Sequence, residues 1–350
     1  MVKRYAYYPG CSLERNAAAY DESFRAVVQA LGIELVEIED WNCCGATEYF
    51  SLDLLPAYAL VARNLALIPP DLDQVVAPCS ACYYNMYKTD KNMALHPELA
   101  RAVNEALAAG HLHYEPGRVR SRHALEVVVE DFTPEEIAAH VQKPLRGLRL
   151  AAYYGCVTVR PASHDDHEYP TRMERLLQAL GATVVDYTLR ANCCGGHMTQ
   201  LDADTAYRMI YYLLSNAARL DVDALVVACP MCQLNLDAYQ GQVNAHFGSD
   251  FRIPILYFTQ MMGLAFGIEP ERLGFGQEIV SAERVLEKWR NPPPEEETAE
   301  RRPRRKETGL PMPEPLIAGR GYVLVTNDKA APLHFDHRIP IPVLPERRRG

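Results

Sequence analysis

Ten cysteines fall into two sets of five with nearly the same spacing, and no other feature of the 350-residue chain limits its fold as tightly. The first set is Cys11, Cys43, Cys44, Cys79 and Cys82; the second is Cys156, Cys193, Cys194, Cys229 and Cys232. In the first, 31 residues separate Cys11 from Cys43 and 33 separate Gly45 from Cys79; in the second the corresponding gaps are 36 and 33. The copies share more than thiols. Tyr7-Tyr8-Pro9-Gly10-Cys11 parallels Tyr153-Tyr154-Gly155-Cys156, Asn42-Cys43-Cys44-Gly45 parallels Asn192-Cys193-Cys194-Gly195, and Asn85 parallels Asn235. From the double cysteine onward the offset is a constant 150 residues. A period of that size marks a tandem domain duplication, since solenoid repeats run to about 20–50 residues.

The order of elements divides the chain in the same way. Arg4 to Tyr8, Ile33 to Ile38 and Gln74 to Ala77 read as strands, and Asn16 to Leu31 and Leu54 to Leu67 as helices. The second copy repeats the order with strands at Leu148 to Tyr154, Thr183 to Tyr187 and Ala224 to Ala228. Its helices fall at Thr171 to Leu180 and Ala206 to Leu220, and a further apolar strand at Ile255 to Phe258. Such alternation predicts an α/β fold of two pseudo-symmetric lobes, each a parallel sheet flanked by helices. The expected boundaries are a first lobe over 1–146, a second over 147–290, a proline-rich charged linker over 291–320 and an extended C-terminal arm over 321–350. Eleven of the 25 prolines lie from Pro292 onward, mixed with Glu295 to Glu297 and the basic run Arg301 to Lys306. The arm reads either as a strap on its own body or as a contact to a partner.

Composition narrows the class. Hydrophobic residues make up 48% of the chain and charged residues 23%, as in an ordinary globular protein. A formal net charge of −9 argues against a broad grip on nucleic-acid phosphates. Met1 to Gly10 lacks the apolar region of an export signal. Ile253 to Ile268, the longest nearly uncharged apolar stretch, is too short for a membrane span and reads as a core strand and helix. The expectation is a cytoplasmic protein.

In a reducing compartment, thiols in register point to metal rather than to a disulfide framework. The cysteines fall at or just after predicted strand ends, where open α/β sheets hold their ligands. A Cys-x-x-Cys pair alone leaves zinc, iron–sulfur and redox dithiol chemistry open. Structural zinc and a cubane cluster each use four ligands, so five thiols per lobe suggest a larger or less symmetric cluster.

The pattern Cys-x31-Cys-Cys-Gly-x33-Cys-x2-Cys, followed by Cys-x36-Cys-Cys-Gly-x33-Cys-x2-Cys, resembles the duplicated CCG domain of the B subunit of heterodisulfide reductase. The resemblance runs from about Lys3 to Trp289 and takes in Arg122 to Val127, Tyr153 to Pro161, Leu177 to Tyr187 and Leu256 to Gly267. It implies that Cys11, Cys43, Cys44, Cys79 and Cys82 hold one noncubane [4Fe-4S] cluster and Cys156, Cys193, Cys194, Cys229 and Cys232 a second. It further implies that a disulfide is cleaved between the two clusters, with one electron from each. Related sulfur-oxidising complexes imply lipoate-bound or persulfide sulfur and the opposite direction. The chain has no Cys-x2-Cys-x2-Cys-x3-Cys-Pro run. By the resemblance, electrons enter from a ferredoxin-like C subunit served by a flavin-containing A subunit. The function expected is thus an oxidoreductase acting on sulfur groups as one component of a complex. Two alternatives stay open: an electron-transfer iron–sulfur subunit of a dehydrogenase or quinone reductase, and a zinc-stabilised assembly protein, with zinc in one lobe as an intermediate form.

Outside the cysteines, His197 follows Cys194-Gly195-Gly196 where the first copy has Thr47, and is the candidate proton donor to substrate sulfur or, equally, a packing residue. His123 is expected in a helical segment with a structural role. His164 and His167 sit among Asp165, Asp166 and Glu168 and read as an exposed charged loop. The tyrosines before Cys11 and Cys156 are expected either to shield the clusters or to end a strand, and Asn42 and Asn192 to shape the double-cysteine turn.

Overall fold

Short apolar runs with β-branched residues build two sheets from eight strands among the described residues, which are 3–46, 48–160 and 165–294 of a computed structural model. β1 (Lys3–Tyr7), β2 (Ile33–Glu37), β3 (Gln74–Ala77) and β4 (Arg120–His123) form the first, in the order β2-β1-β3-β4. β5 (Arg149–Tyr153), β6 (Thr183–Val184), β7 (Ala224–Val227) and β8 (Ile255–Tyr257) form the second, in the order β6-β5-β7-β8. Every pairing is parallel. The two sheets are therefore copies of one topology, and the expected boundary at 146/147 falls between β4 and β5. The linker and arm expected over 291–320 and 321–350 lie, from residue 295 on, outside the described residues, as does His164.

The inner strands carry the core. Val75, Val76 and Ala77 of β3 and all four residues of β7 are buried, as parallel strands covered on both faces require. The helix Ala18–Ala30 of the first lobe packs against the helix Phe258–Ala265 of the second. There Tyr20 stacks on Tyr257 at 4.3 Å between centroids, and Ser23 Oγ lies 2.6 Å from Thr259 Oγ1. The stretch Ile253 to Ile268 is thus core and interlobe contact, as its composition implied. No helix among the described residues is long and apolar enough to cross a membrane.

Two expectations are corrected. The strand expected over Thr183 to Tyr187 pairs only at Thr183 and Val184, with Val185 N–H adding one bond to Leu150 O. Tyr187 instead turns inward and donates its hydroxyl to Leu213 O, while Asp186 pairs with Arg190. His123 is not in a helix. It ends β4, opposite Ala77, and its Nδ1 accepts the Leu125 N–H at 3.1 Å as the N-cap of the helix Ala124–Asp131. Arg-Ser-Arg-His has no strand pattern in sequence; the segment is held extended because the buried Arg122 guanidinium reaches Asp131 at 2.8 and 2.9 Å and Glu130 at 3.0 Å.

Burial pushes the His123 imidazole down to about 4, so the ring is neutral at pH 7 and, with Nδ1 accepting, carries its proton on Nε2. The folded value lies below the unfolded ~6.5, so the unfolded chain binds the extra proton as pH falls from 6.5 to 4. Denaturant unfolding of the metal-free protein is expected to lose on the order of 3 kcal/mol through His123 over that range, and His123→Asn, which keeps a capping side chain, to lose that much less. Equal losses in both proteins would contradict the assignment.

Candidate metal centre

Each first cysteine sits in a single helical turn, Gly10–Leu13 or Gly155–Thr158, just past the end of β1 or β5. The glycine at the head of that turn has φ +71° in both lobes. A Cβ there would lie 3.1 Å from Cys82 Sγ at Gly10 and 2.7 Å from Cys232 Sγ at Gly155. Glycine is required twice over, by the left-handed backbone and by the sulfur packed on it. Cys79 and Cys229 follow β3 and β7 and cap the helices Ser80–Leu95 and Pro230–Ala238, whose first turns present Cys82 and Cys232.

The double-cysteine turns are tied down identically. Tyr8 Oη donates to Asn42 O and Tyr153 Oη to Asn192 O, each at 2.7 Å. These tyrosines are buried and serve the backbone of the turn rather than a sulfur. Asn85 Nδ2 donates to Cys44 O (3.2 Å) and Ala46 O (2.7 Å); Asn235 Nδ2 donates to Cys194 O (3.3 Å) and Gly196 O (2.7 Å). Gly45 N–H and Gly195 N–H each reach the sulfur of the first cysteine of the pair at 3.4 Å.

All ten cysteines line one cavity of about 280 Å³, together with Ser12, Ala46, Ser80, Ala81, Tyr154, Val157, Thr158, Gly196, His197 and Met231. None is in a disulfide. Cys11 Sγ lies 3.7 Å from Cys43 Sγ, and Cys44 Sγ 3.4 Å from Cys82 Sγ. The lobes meet behind this wall, where Ser80 Oγ is 2.6 Å from Thr158 Oγ1 and Tyr20 Oη donates to Ala228 O at 3.1 Å. Contact with Cys11 draws the Cys43 thiol far below its ordinary value, and Cys156, aided by Gly195 N–H, draws Cys193 down to about 6. Cys11 and Cys156 are raised by the same contacts. Cys79 is raised by Cys229 across the seam.

The donor set fits an iron–sulfur group: soft thiols, unpaired, on a wall with no carboxylate. Among the described residues no three His, Cys, Asp or Glu side chains converge to hold a single metal ion. His197 reaches the cavity, and its Nδ1 pairs with Glu48 of the other lobe. Sequence reasoning missed Glu48, Ser80 and Thr158, whose pairings across the lobes leave no local signal. His167 is away from the cysteines and bonds Val159 O at 2.6 Å.

A family model of a cysteine-rich domain, CCG, matches residues 5–87 and 150–237, one match per lobe. The chain is similar to the B subunit of a ferredoxin:CoB-CoM heterodisulfide reductase from Methanosarcina mazei, 30% identical over 285 residues, which cover 80% of this chain and 94% of the relative. The chain belongs to the family of heterodisulfide reductase B subunits. The membrane anchor subunit of an 8-methylmenaquinol:fumarate reductase from Wolinella succinogenes is 34% identical over 288 residues, 81% of this chain and 100% of the relative. The fold also resembles a hypothetical protein from Helicobacter pylori, with a TM-score of 0.65 at 14% identity over 80% of this chain and 52% of that one.

For a chain of this family the glycine packing makes a direct prediction. Gly155→Ala is expected to cost about 1–2 kcal/mol of backbone strain and to displace Cys232, lowering the iron bound per chain. Gly10→Ala, with its looser contact, should lower it less. Iron analysis of the purified variants checks this; full loading of Gly155→Ala would contradict it.

Proposed function

We propose that the chain is the catalytic iron–sulfur subunit of a heterodisulfide-reductase-like complex, reducing or forming a disulfide- or persulfide-type substrate between two noncubane [4Fe-4S] clusters. The observation that carries this reading is that both cysteine sets line the same cavity. Cys11, Cys43, Cys44, Cys79 and Cys82 would hold one cluster and Cys156, Cys193, Cys194, Cys229 and Cys232 the other. When bound, the clusters supply the electrons singly to a reaction that needs two.

Reduction of a disulfide consumes two electrons and two protons and releases two thiols. The chain's own residues manage the protons and the solvent. Ala46, Ala81, Val157 and Met231 give the cavity an apolar lining that strengthens charge interactions inside it. Glu48 engages Nδ1 of His197, which leaves Nε2 to hold a proton for a departing thiolate. The electrons come from a ferredoxin-like partner subunit, itself served by a flavin-bearing one, in the cytoplasm. The name of the Methanosarcina relative, a component of a ferredoxin-linked reductase, supports that arrangement.

A relay role without sulfur chemistry is favoured by the Wolinella relative, whose name places it in a fumarate reductase. Two measurements separate the readings. Anaerobically prepared protein is expected to contain about eight irons per chain with matching acid-labile sulfide. Zinc alone would contradict the iron–sulfur reading. His197→Gln is expected to lower disulfide turnover on the order of 10²-fold at unchanged iron content, the usual scale of a lost general acid. A relay predicts unchanged electron transfer in that variant and no spectral response of either centre to a disulfide.

A further inference from the structure

His123 and Tyr257 occupy equivalent places. Each ends the fourth strand of its sheet, His123 opposite Ala77 and Tyr257 opposite Val227, two residues before Cys79 and Cys229 respectively. Both rings are buried. His123 uses both nitrogens, Nδ1 accepting from Leu125 N–H and Nε2 lying 3.4 Å from Ser80 Oγ. Tyr257 does not use its side chain in this way. Its backbone N–H reaches Gln260 Oε1 at 2.9 Å, but its hydroxyl is enclosed and has no hydrogen-bond partner among the described residues.

The ring cannot easily turn to find one. It stacks on Tyr20 with 11° between the planes, and Tyr20 is itself fastened by its hydroxyl to Ala228 O, the residue before Cys229. The thiols whose charge bears on the Tyr257 hydroxyl are first Cys229 and then Cys79, one from each lobe. Burial above all, then those thiols, holds the phenol far above its ordinary value, so it remains a donor. An enclosed O–H without an acceptor costs free energy unless something brings an acceptor to it.

We propose that Tyr257 donates its hydroxyl hydrogen to a sulfur of the iron–sulfur group held at the Cys79–Cys229 seam and thereby raises the reduction potential of that centre. This rests on the iron–sulfur reading above. A donor at the sulfur stabilises the reduced state, with its extra negative charge, more than the oxidised state. Tyr257 is then a positioning residue for the electronics of the site, with Tyr20 fixing its ring. A rival acceptor is a water in the neighbouring cavity of about 160 Å³, lined by Tyr257, Gln233, Asp237, Gln260 and Glu278 among others.

The test is Tyr257→Phe, which keeps the ring and the stack, compared with the wild-type holoprotein by spectroscopically monitored redox titration. Iron content is expected to be unchanged. One centre is expected to shift about tenfold toward the oxidised state, ~59 mV for a one-electron couple. Tyr20→Phe, whose hydroxyl is already spent on Ala228 O, is expected to leave both potentials in place. The metal-free Tyr257→Phe protein should unfold at the same denaturant concentration as the wild type or a higher one, because it loses only an unpaired donor. Unchanged potentials at full iron loading would overturn the proposal, and so would a less stable metal-free variant, which would show that the hydroxyl already had a partner such as water. Wild-type protein without iron would instead overturn the iron–sulfur reading, a result distinct from either.

Discussion

The carboxyl ends of two parallel sheets meet across one space, and the ten thiols act together because of that opposition. Parallel pairing sends every strand of a lobe out at the same edge, so the first cysteine, the double cysteine and the Cys-x-x-Cys helix of that lobe collect there. The seam between lobes is closed by small polar and aromatic contacts: Ser80 with Thr158, Tyr20 with Tyr257, Ser23 with Thr259. Loosening these would separate two cysteine sets that each have a sound scaffold of their own.

The duplication is legible in the sequence because its signals are local. Spacing, the double-cysteine turn and the apolar runs repeat along the chain, and the glycines beside the thiols are explained by sulfurs that leave no room for a Cβ. What is not legible depends on distant partners. Arg120 to His123 carries no alternation, so His123 reads as helical, and only the ladder to β3 and the Arg122 ion pairs hold it extended. The β6 strand stops early because Tyr187 prefers an interior hydrogen bond to Leu213 O over the ladder. Tyr8 and Tyr153 lie where a shield for a cofactor would lie, yet their hydroxyls are used by backbone carbonyls 34 and 39 residues away.

The two halves are not interchangeable. Cys11 and Cys43 are exposed while Cys156 and Cys193 are partly covered, and only the second lobe carries a histidine on the cavity wall. His197 is nonetheless completed by the first lobe, through Glu48. A symmetric scaffold thus supports an asymmetric chamber, as a substrate with two different sulfur-bearing halves would need.

Diffraction at the iron absorption edge from anaerobically grown crystals tests most directly whether paired sets of thiols hold iron on facing walls of one chamber. Two groups of iron peaks are expected inside the single cavity, one bounded by each set of five sulfurs. Sulfurs joined to one another, or iron confined to one lobe with zinc or nothing in the other, would contradict it.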